Sequence, residues 1–300
     1  MKHKSVTLND VADYSGVSYQ TVSRVLNRAE HVSDKTRAKV EQAMGALNYG
    51  PNRVAQELAG KQRFTVWLAS SVLPLHAPSQ PASAIKTQAN QMGFNVVISM
   101  VEDLSVQACR TAINELLSQR VDGLLINVSL CAEDSHAIEQ VCGEVPALFL
   151  DVDPDSDVSS ILFDPYQGAR QGVEHVVALG HRDIALITGP LVSISARLRY
   201  QGWLTTLAER QLKPCSVLHG DWSAASGYQL AGQILSLPKH PTAILVANDQ
   251  MALGVLRALQ EYGLQIPVQM SVVGYDDTED SAYYYPPLTT IKQDLRMLGQ

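Results

Sequence analysis

The sequence predicts a small all-α domain followed by a two-lobed, doubly wound α/β body, and three observations carry that reading. Apolar residues recur at helical spacing from Leu8 to Leu47. From Phe64 onward short apolar runs alternate with helical stretches, and the alternation occurs twice in series. Residues 1–63 hold ten Lys and Arg against six Asp and Glu, whereas the remainder holds thirteen against twenty-four. A basic head on an acidic body is the asymmetry of a chain in which one small module neutralises phosphates. The 300 residues, 46% hydrophobic, can bury a substantial core and call for more than one domain.

The first helix is expected from Leu8, with Leu8, Val11 and Ala12 on one face, and breaks at Ser15-Gly16-Val17-Ser18. Ser18 suits an N-cap for a second helix, its hydroxyl accepting from the amide of Gln20 or Thr21. Val22 with Val25 or Leu26 continues the apolar face toward the first helix. Small Ala12 permits a close crossing, and Gly16 supplies the backbone freedom of a tight turn. The outer face of the second helix carries Tyr19, Gln20, Ser23 and Arg24. Gln pairs bidentately with adenine and Arg with guanine, while Thr7, Thr21 and Ser23 suit phosphate oxygens. A solvated helix face has the same composition, so the later elements decide between the two.

A third helix is expected from Ser33 to about Leu47, with Val40, Ala43, Met44 and Leu47 as its core stripe. Asn48-Tyr49-Gly50-Pro51 ends it. Asn52 then caps a short helix from Arg53 to Ala59 that Gly60 halts, and a helix so short needs a partner to form. Leu58 beside Ala59 is an apolar tip on a linker that also carries Arg53 and Lys61, a composition suited to a wedge in a minor groove.

Three segments carry a resemblance. They are Val-Thr-Leu-x-Asp-Val-Ala-x-Tyr-x-Gly-Val-Ser-Tyr-Gln-Thr-Val-Ser-Arg-Val over 6–25, Pro-Asn-Arg-Val-Ala-Gln-x-Leu-Ala-Gly-Lys-Gln over 51–62 and Leu-His-Ala-Pro-Ser-Gln over 75–80. The whole chain resembles the lactose/galactose repressor family of bacterial transcription regulators. That resemblance implies a helix-turn-helix DNA-binding domain at 1–50, a hinge helix and linker at 51–62, and a periplasmic-binding-protein-like sensor at 63–300. It implies that Tyr19, Gln20 and Arg24 read the major groove of operator DNA, with Thr7, Leu8, Ser18, Thr21, Ser23, Asn27 and His31 around them. It also implies that Asn52, Ala55, Leu58 and Ala59 belong to a hinge helix that inserts Leu58 at the operator centre. Asn9 departs from the family, where an aromatic residue is expected.

In the body, strands are expected at Phe64–Ala69, Asn95–Ser99, Gly123–Asn127 and Ala147–Leu150, then at Ser160–Phe163, Asp183–Ile187, Ala243–Ala247 and Met270–Tyr275. Ligands of open α/β sheets bind beyond the carboxyl ends of strands. Those positions hold Asn127, Asp151, Asn248 and Asp276, all short and polar. Any one of them is equally a helix N-cap by type. Arg199 and Trp222 complete a set in which amides and charges fix hydroxyls and an indole covers an apolar sugar face. The resemblance implies that Arg199, Asn248, Asp276 and Asp151 hold galactosyl hydroxyls, and that Leu75, Ala77, Pro78, Phe163, Trp222, Gln250 and Leu298 line the apolar side. Pro81 and Leu295 depart from the family, which carries an aliphatic and an aromatic residue there.

Other classes fit less well. Neither a Gly-x-Ser-x-Gly elbow nor a Gly-x-Gly-x-x-Gly fingerprint occurs, and Gly60-Lys61 lacks the upstream Gly of a phosphate loop, so no enzyme and no cofactor are expected. Cys109, Cys131, Cys142 and Cys215 form no Cys-x-x-Cys pair and read as reduced thiols, not metal ligands. A free sugar-binding receptor would share the body but begin with a signal peptide, whereas Met1 to Lys4 lead directly into a polar segment. A cytoplasmic regulator is the expectation. A member using its ligand as corepressor is disfavoured by the galactoside-type residues. One reading set covers only a half-site, so a homodimer on a near-palindromic operator is expected, with Asp280 to Pro286 as interface or as a solvent loop. Lys292 to Gln300 reads as a helix cut short after two turns; the family continues with a returning strand and a helix that builds tetramers.

Overall fold

A computed structural model of the protein describes residues 6–26, 31–50, 65–71, 76–101, 105–119 and 121–297. It divides into two compact units, Met1–Arg63 and Phe64–Gln300. The first unit contains α1 (Leu8–Ser15), α2 (Tyr19–Leu26) and α3 (Asp34–Ala46). Its core is Val11, Ala12, Val22, Val25, Val40 and Ala43, with Leu8, Met44 and Leu47 packed at the edge. These are the positions that the helical spacing selects, and burying each Val contributes roughly 1.5–3 kcal/mol. A capping box opens α1: the Thr7 hydroxyl accepts from the Asp10 amide at 3.4 Å, and the Thr7 amide donates to the Asp10 carboxylate at 2.7 Å. Gly16 closes it at φ 67, in the left-handed region.

The second unit holds two parallel sheets. In the first lobe β1 (Thr65–Ser71), β2 (Asn95–Val101), β3 (Gly123–Asn127) and β4 (Ala147–Phe149) are ordered β2-β1-β3-β4. The helices α4 (His76–Gln91), α5 (Val106–Ser118) and α6 (Ala132–Cys142) alternate with them. In the second lobe β5 (Ile184–Thr188), β6 (Ser216–His219), β7 (Ala243–Val246), β8 (Ser271–Asp276) and β9 (Thr289–Lys292) are ordered β6-β5-β7-β8-β9. They alternate with α7 (Pro165–Ala178), α8 (Ile194–Glu209), α9 (Ala224–Leu235) and α10 (Asp249–Glu261). Every residue of β5 and β7 is buried, as expected for central parallel strands covered on both faces. Both lobes reverse strand order after their first strand, which opens a crevice at the carboxyl ends of β1 and β3 and of β5 and β7.

Two expectations are corrected, and one strand was not expected. Ser160–Phe163 is not a strand: Ser160 makes one isolated bridge to Phe149, and Asp164 and Pro165 open α7 directly afterwards. The segment is apolar because Val158 and Leu162 pack on the first-lobe core. Lys292 does not begin a helix, since β-branched Thr289, Thr290 and Ile291 pair in parallel with β8 and a turn follows at Leu295–Arg296. The short strand β6 had no expectation, its four residues being only half-buried or exposed.

Candidate DNA-reading face and ligand cleft

In the head, Ser18 accepts from the Thr21 amide at 3.2 Å, one of the two partners that its position allows. Its hydroxyl also pairs with that of Thr21 at 2.9 Å. Val22 and Val25 are drawn into the core, which turns the remainder of α2 outward. Tyr19, Gln20 and Arg24 are exposed together on that face, with Thr21 and Ser23 half-buried beside them. Thr7 is exposed but its side chain serves the cap of α1, Leu8 is half-buried, and His31 is exposed. Asn27, Asn52, Ala55, Leu58 and Ala59 lie outside the described residues, as does the whole expected hinge helix.

In the body, the cleft centres on Arg199 in α8, which is 3% exposed. Its Nη2 donates to Asp276 Oδ1 at 3.3 Å and to Gln293 Oε1 at 3.4 Å, and Nη1 donates to the carbonyl of Ala247. The guanidinium carbon stands 3.8 Å from the Tyr275 ring centre and 5.5 Å from that of Trp222. Its Nε is buried with no partner. Burial pushes the Asp276 carboxyl up to about 7, with the neighbouring Asp249 adding to the rise and Arg199 opposing it. Asp276 takes φ 118 at the end of β8 and Asp277 takes φ 57, so the chain reverses sharply there.

Asp249 holds this reversal. Its carboxylate accepts from the Thr278 amide at 2.9 Å, the Ser281 hydroxyl at 2.6 Å and the Thr290 hydroxyl at 2.6 Å. Across the cleft, Asp151 follows β4 of the first lobe. Burial raises its carboxyl, while a hydrogen bond from Ser129 and the charges of Arg199 and Arg197 hold it down. Ser129 also accepts from the Ile194 amide at 2.7 Å, tying the two lobes at the start of α8.

The structure thus gathers three of the four strand-end residues, Asp151, Asn248 and Asp276, around Arg199 and Trp222. Asn248 is also the N-cap of α10, accepting from the Met251 amide at 2.9 Å and donating to the Trp222 carbonyl at 3.0 Å. Asn127 ends β3 half-buried, and Phe163 and Gln250 are half-buried. Ala77 lies in the first turn of α4 with Pro78 and, further along, Pro81; Leu295 is buried at 7%. Leu75 and Leu298 fall outside the described residues. Gln293, Tyr275, Ser129 and Asp249 adjoin Arg199, Asp151 and Asp276 and were missed. Gln293 directly follows β9 and obeys the strand-end rule once that strand is recognised.

A helix pair presenting a polar outward face, in one chain with a two-lobed body that buries an arginine–aspartate pair at the strand ends of its second lobe, defines the class of ligand-responsive DNA-binding regulators. Comparison with known proteins narrows the class. The family of bacterial regulatory proteins named lacI matches residues 7–52, and a periplasmic binding protein-like domain matches residues 173–300. The lactose operon repressor of Escherichia coli (strain K12) is 59% identical over 99% of this chain and 82% of its own length. The crystal structure of the lac repressor dimer bound to operator and the anti-inducer ONPF superposes with a TM-score of 0.92 at 60% identity, covering 99% of this chain and 90% of the other. A lac repressor bound to ONPG in the repressed state gives the same TM-score and coverage at 59% identity. The chain belongs to the lacI family of bacterial regulatory proteins.

Proposed function

We propose that the chain is a cytoplasmic, sequence-specific transcriptional repressor of a lactose or galactoside utilisation operon, released from its operator by a galactoside. In this reading residues 1–50 read DNA, 51–62 form the hinge and 63–300 sense the sugar. Tyr19, Gln20 and Arg24 meet base edges from the outward face of α2, and Leu58 enters the minor groove when two hinges fold on DNA. The chain acts as a homodimer, its exposed Tyr283 and Tyr285 lying on a segment suited to an interface. It performs no catalysis: the cleft binds and releases.

The observation that carries the sugar reading is the Arg199–Asp276 pair facing Asp151 across the two lobes. A planar donor array between carboxylates meets the alternating donor and acceptor demands of vicinal hydroxyls. The Trp222 indole beside it supplies an apolar wall for a pyranose face. Sugar bound between the lobes draws them together, and a change in their spacing separates the paired hinges. Coupling between the sites is reciprocal, so operator weakens sugar binding by the factor by which sugar weakens operator binding. Calorimetry of methyl β-galactoside with the chain, alone and saturated with operator DNA, tests this; equal affinity in both titrations removes the mechanism.

A further inference from the structure

Gly189 follows β5 at the floor of the second lobe and is buried. A methyl group on its α-carbon would stand 2.6 Å from Cε2 of Trp222, with Cζ2 and Cη2 closer still. The indole thus occupies the space that any side chain at position 189 would take. Gly189 is not among the glycines with positive φ, so its backbone is open to every L residue. What the position requires is room, not conformational freedom.

The surroundings hold the ring against this notch. Trp222 adopts φ 75, which a bulky residue avoids unless its neighbours over-determine it. Its carbonyl accepts from Asn248 Nδ2 at 3.0 Å, and Asp221 accepts from the amide and the hydroxyl of Ser223 at 2.9 and 2.6 Å. On the β5 side, Thr188 Oγ1 pairs with His219 Nδ1 at 2.7 Å, and the Thr188 carbonyl accepts from the Gly220 amide at 2.8 Å. The ends of β5 and β6 are pinned together within a few residues of the ring.

We infer that Gly189 is a positioning residue for ligand recognition, its absent side chain seating the Trp222 indole beside Arg199 and so setting the room left in the cleft for a ligand with an apolar face. The inference rests on the sugar reading of the cleft. The full chain is prepared as wild type, Gly189→Ala, Trp222→Leu and the double variant. Methyl β-galactoside binding is measured by calorimetry, and the three tryptophans, Trp67, Trp203 and Trp222, are observed as 5-fluorotryptophan by fluorine NMR without ligand.

Gly189→Ala is expected to shift the Trp222 resonance while those of Trp67 and Trp203 hold. It is expected to weaken methyl β-galactoside by about ten-fold or more in the wild-type background but by less than about two-fold beside Trp222→Leu, because coupled residues are non-additive. An unmoved Trp222 resonance, unchanged sugar affinity, or the same loss in both backgrounds overturns the inference. If the wild type binds no methyl β-galactoside, the sugar reading falls, and the fluorine spectrum alone decides whether Gly189 seats the ring.

Discussion

Replacing Arg199 with Met preserves the length of the side chain but removes every charge contribution that restrains the Asp276 carboxyl, because both influences lowering it come from Arg199. In the intact protein burial has pushed that carboxyl up to about 7. The folded form then holds a proton that an unfolded aspartate, near 3.9, has released. Stability therefore declines as pH rises through the acid range and levels off above about 7. Without Arg199 the folded value rises further, so the decline continues past 7 at about 1.4 kcal/mol per pH unit. At pH 6 the variant loses the hydrogen bonds to Ala247 and Gln293, about 2 kcal/mol. By pH 9 the loss has grown by about 1.4 kcal/mol for each unit by which the folded value has risen above 7, toward the roughly 3–5 kcal/mol of breaking a buried ion pair. Urea unfolding of both proteins at pH 6, 7, 8 and 9 measures this; groups beyond reach of the Arg199 charge cancel in the difference, whereas Asp151, which the same charge holds down, adds to it in the same direction. A loss of equal size at pH 6 and pH 9 would refute the reasoning, as would failure of Asp276→Asn to reduce the pH-dependence in the Arg199→Met background.

Three further outcomes follow from the same physical arguments. Burial pushes the Cys109 thiol up to about 12 and the Cys142 thiol up to about 11, so their contribution is intact below about pH 9 and is lost above it. Alkaline unfolding curves should be less steep in Cys109→Ala/Cys142→Ala, and an equal steepness contradicts the assignment. Gly16→Ala places a side chain at φ 67 and should cost the head about 1–2 kcal/mol, read as a lower melting temperature of its helices. Gln20→Ala and Arg24→Ala should each cost about 1–3 kcal/mol on the cognate operator and relax one base position. Lys35→Ala should weaken all DNA sequences alike; if Arg24→Ala does the same, Arg24 touches only phosphate.

The head was legible almost residue by residue, because its core is local. Val11, Ala12, Val22, Val40 and Ala43 lie on helices whose period of 3.6 writes burial directly into the spacing. The polar cluster around Arg199 was legible as a rule about strand ends, which picked out Asp151, Asn248 and Asp276 without knowledge of their neighbours. The rule failed where strand recognition failed. Ser160–Phe163 has strand composition but spends it on packing, and Thr289–Lys292 is a strand whose next residue, Gln293, reaches Arg199.

Periodicity, capping and turn chemistry within short windows suffice for the two-unit architecture, the polar outward face of α2 and the polar types gathered at the carboxyl ends of the strands. Only the tertiary structure decided which of those polar groups meet. The Arg199 partners Ala247, Asp276 and Gln293 are 48, 77 and 94 residues away. The Asp249 network joins α10 to segments about 30 and 40 residues later. Such contacts depend on the order of strands in the sheet and on the sharp reversal at Asp276, and no local pattern encodes the distance between chain segments that only packing brings together.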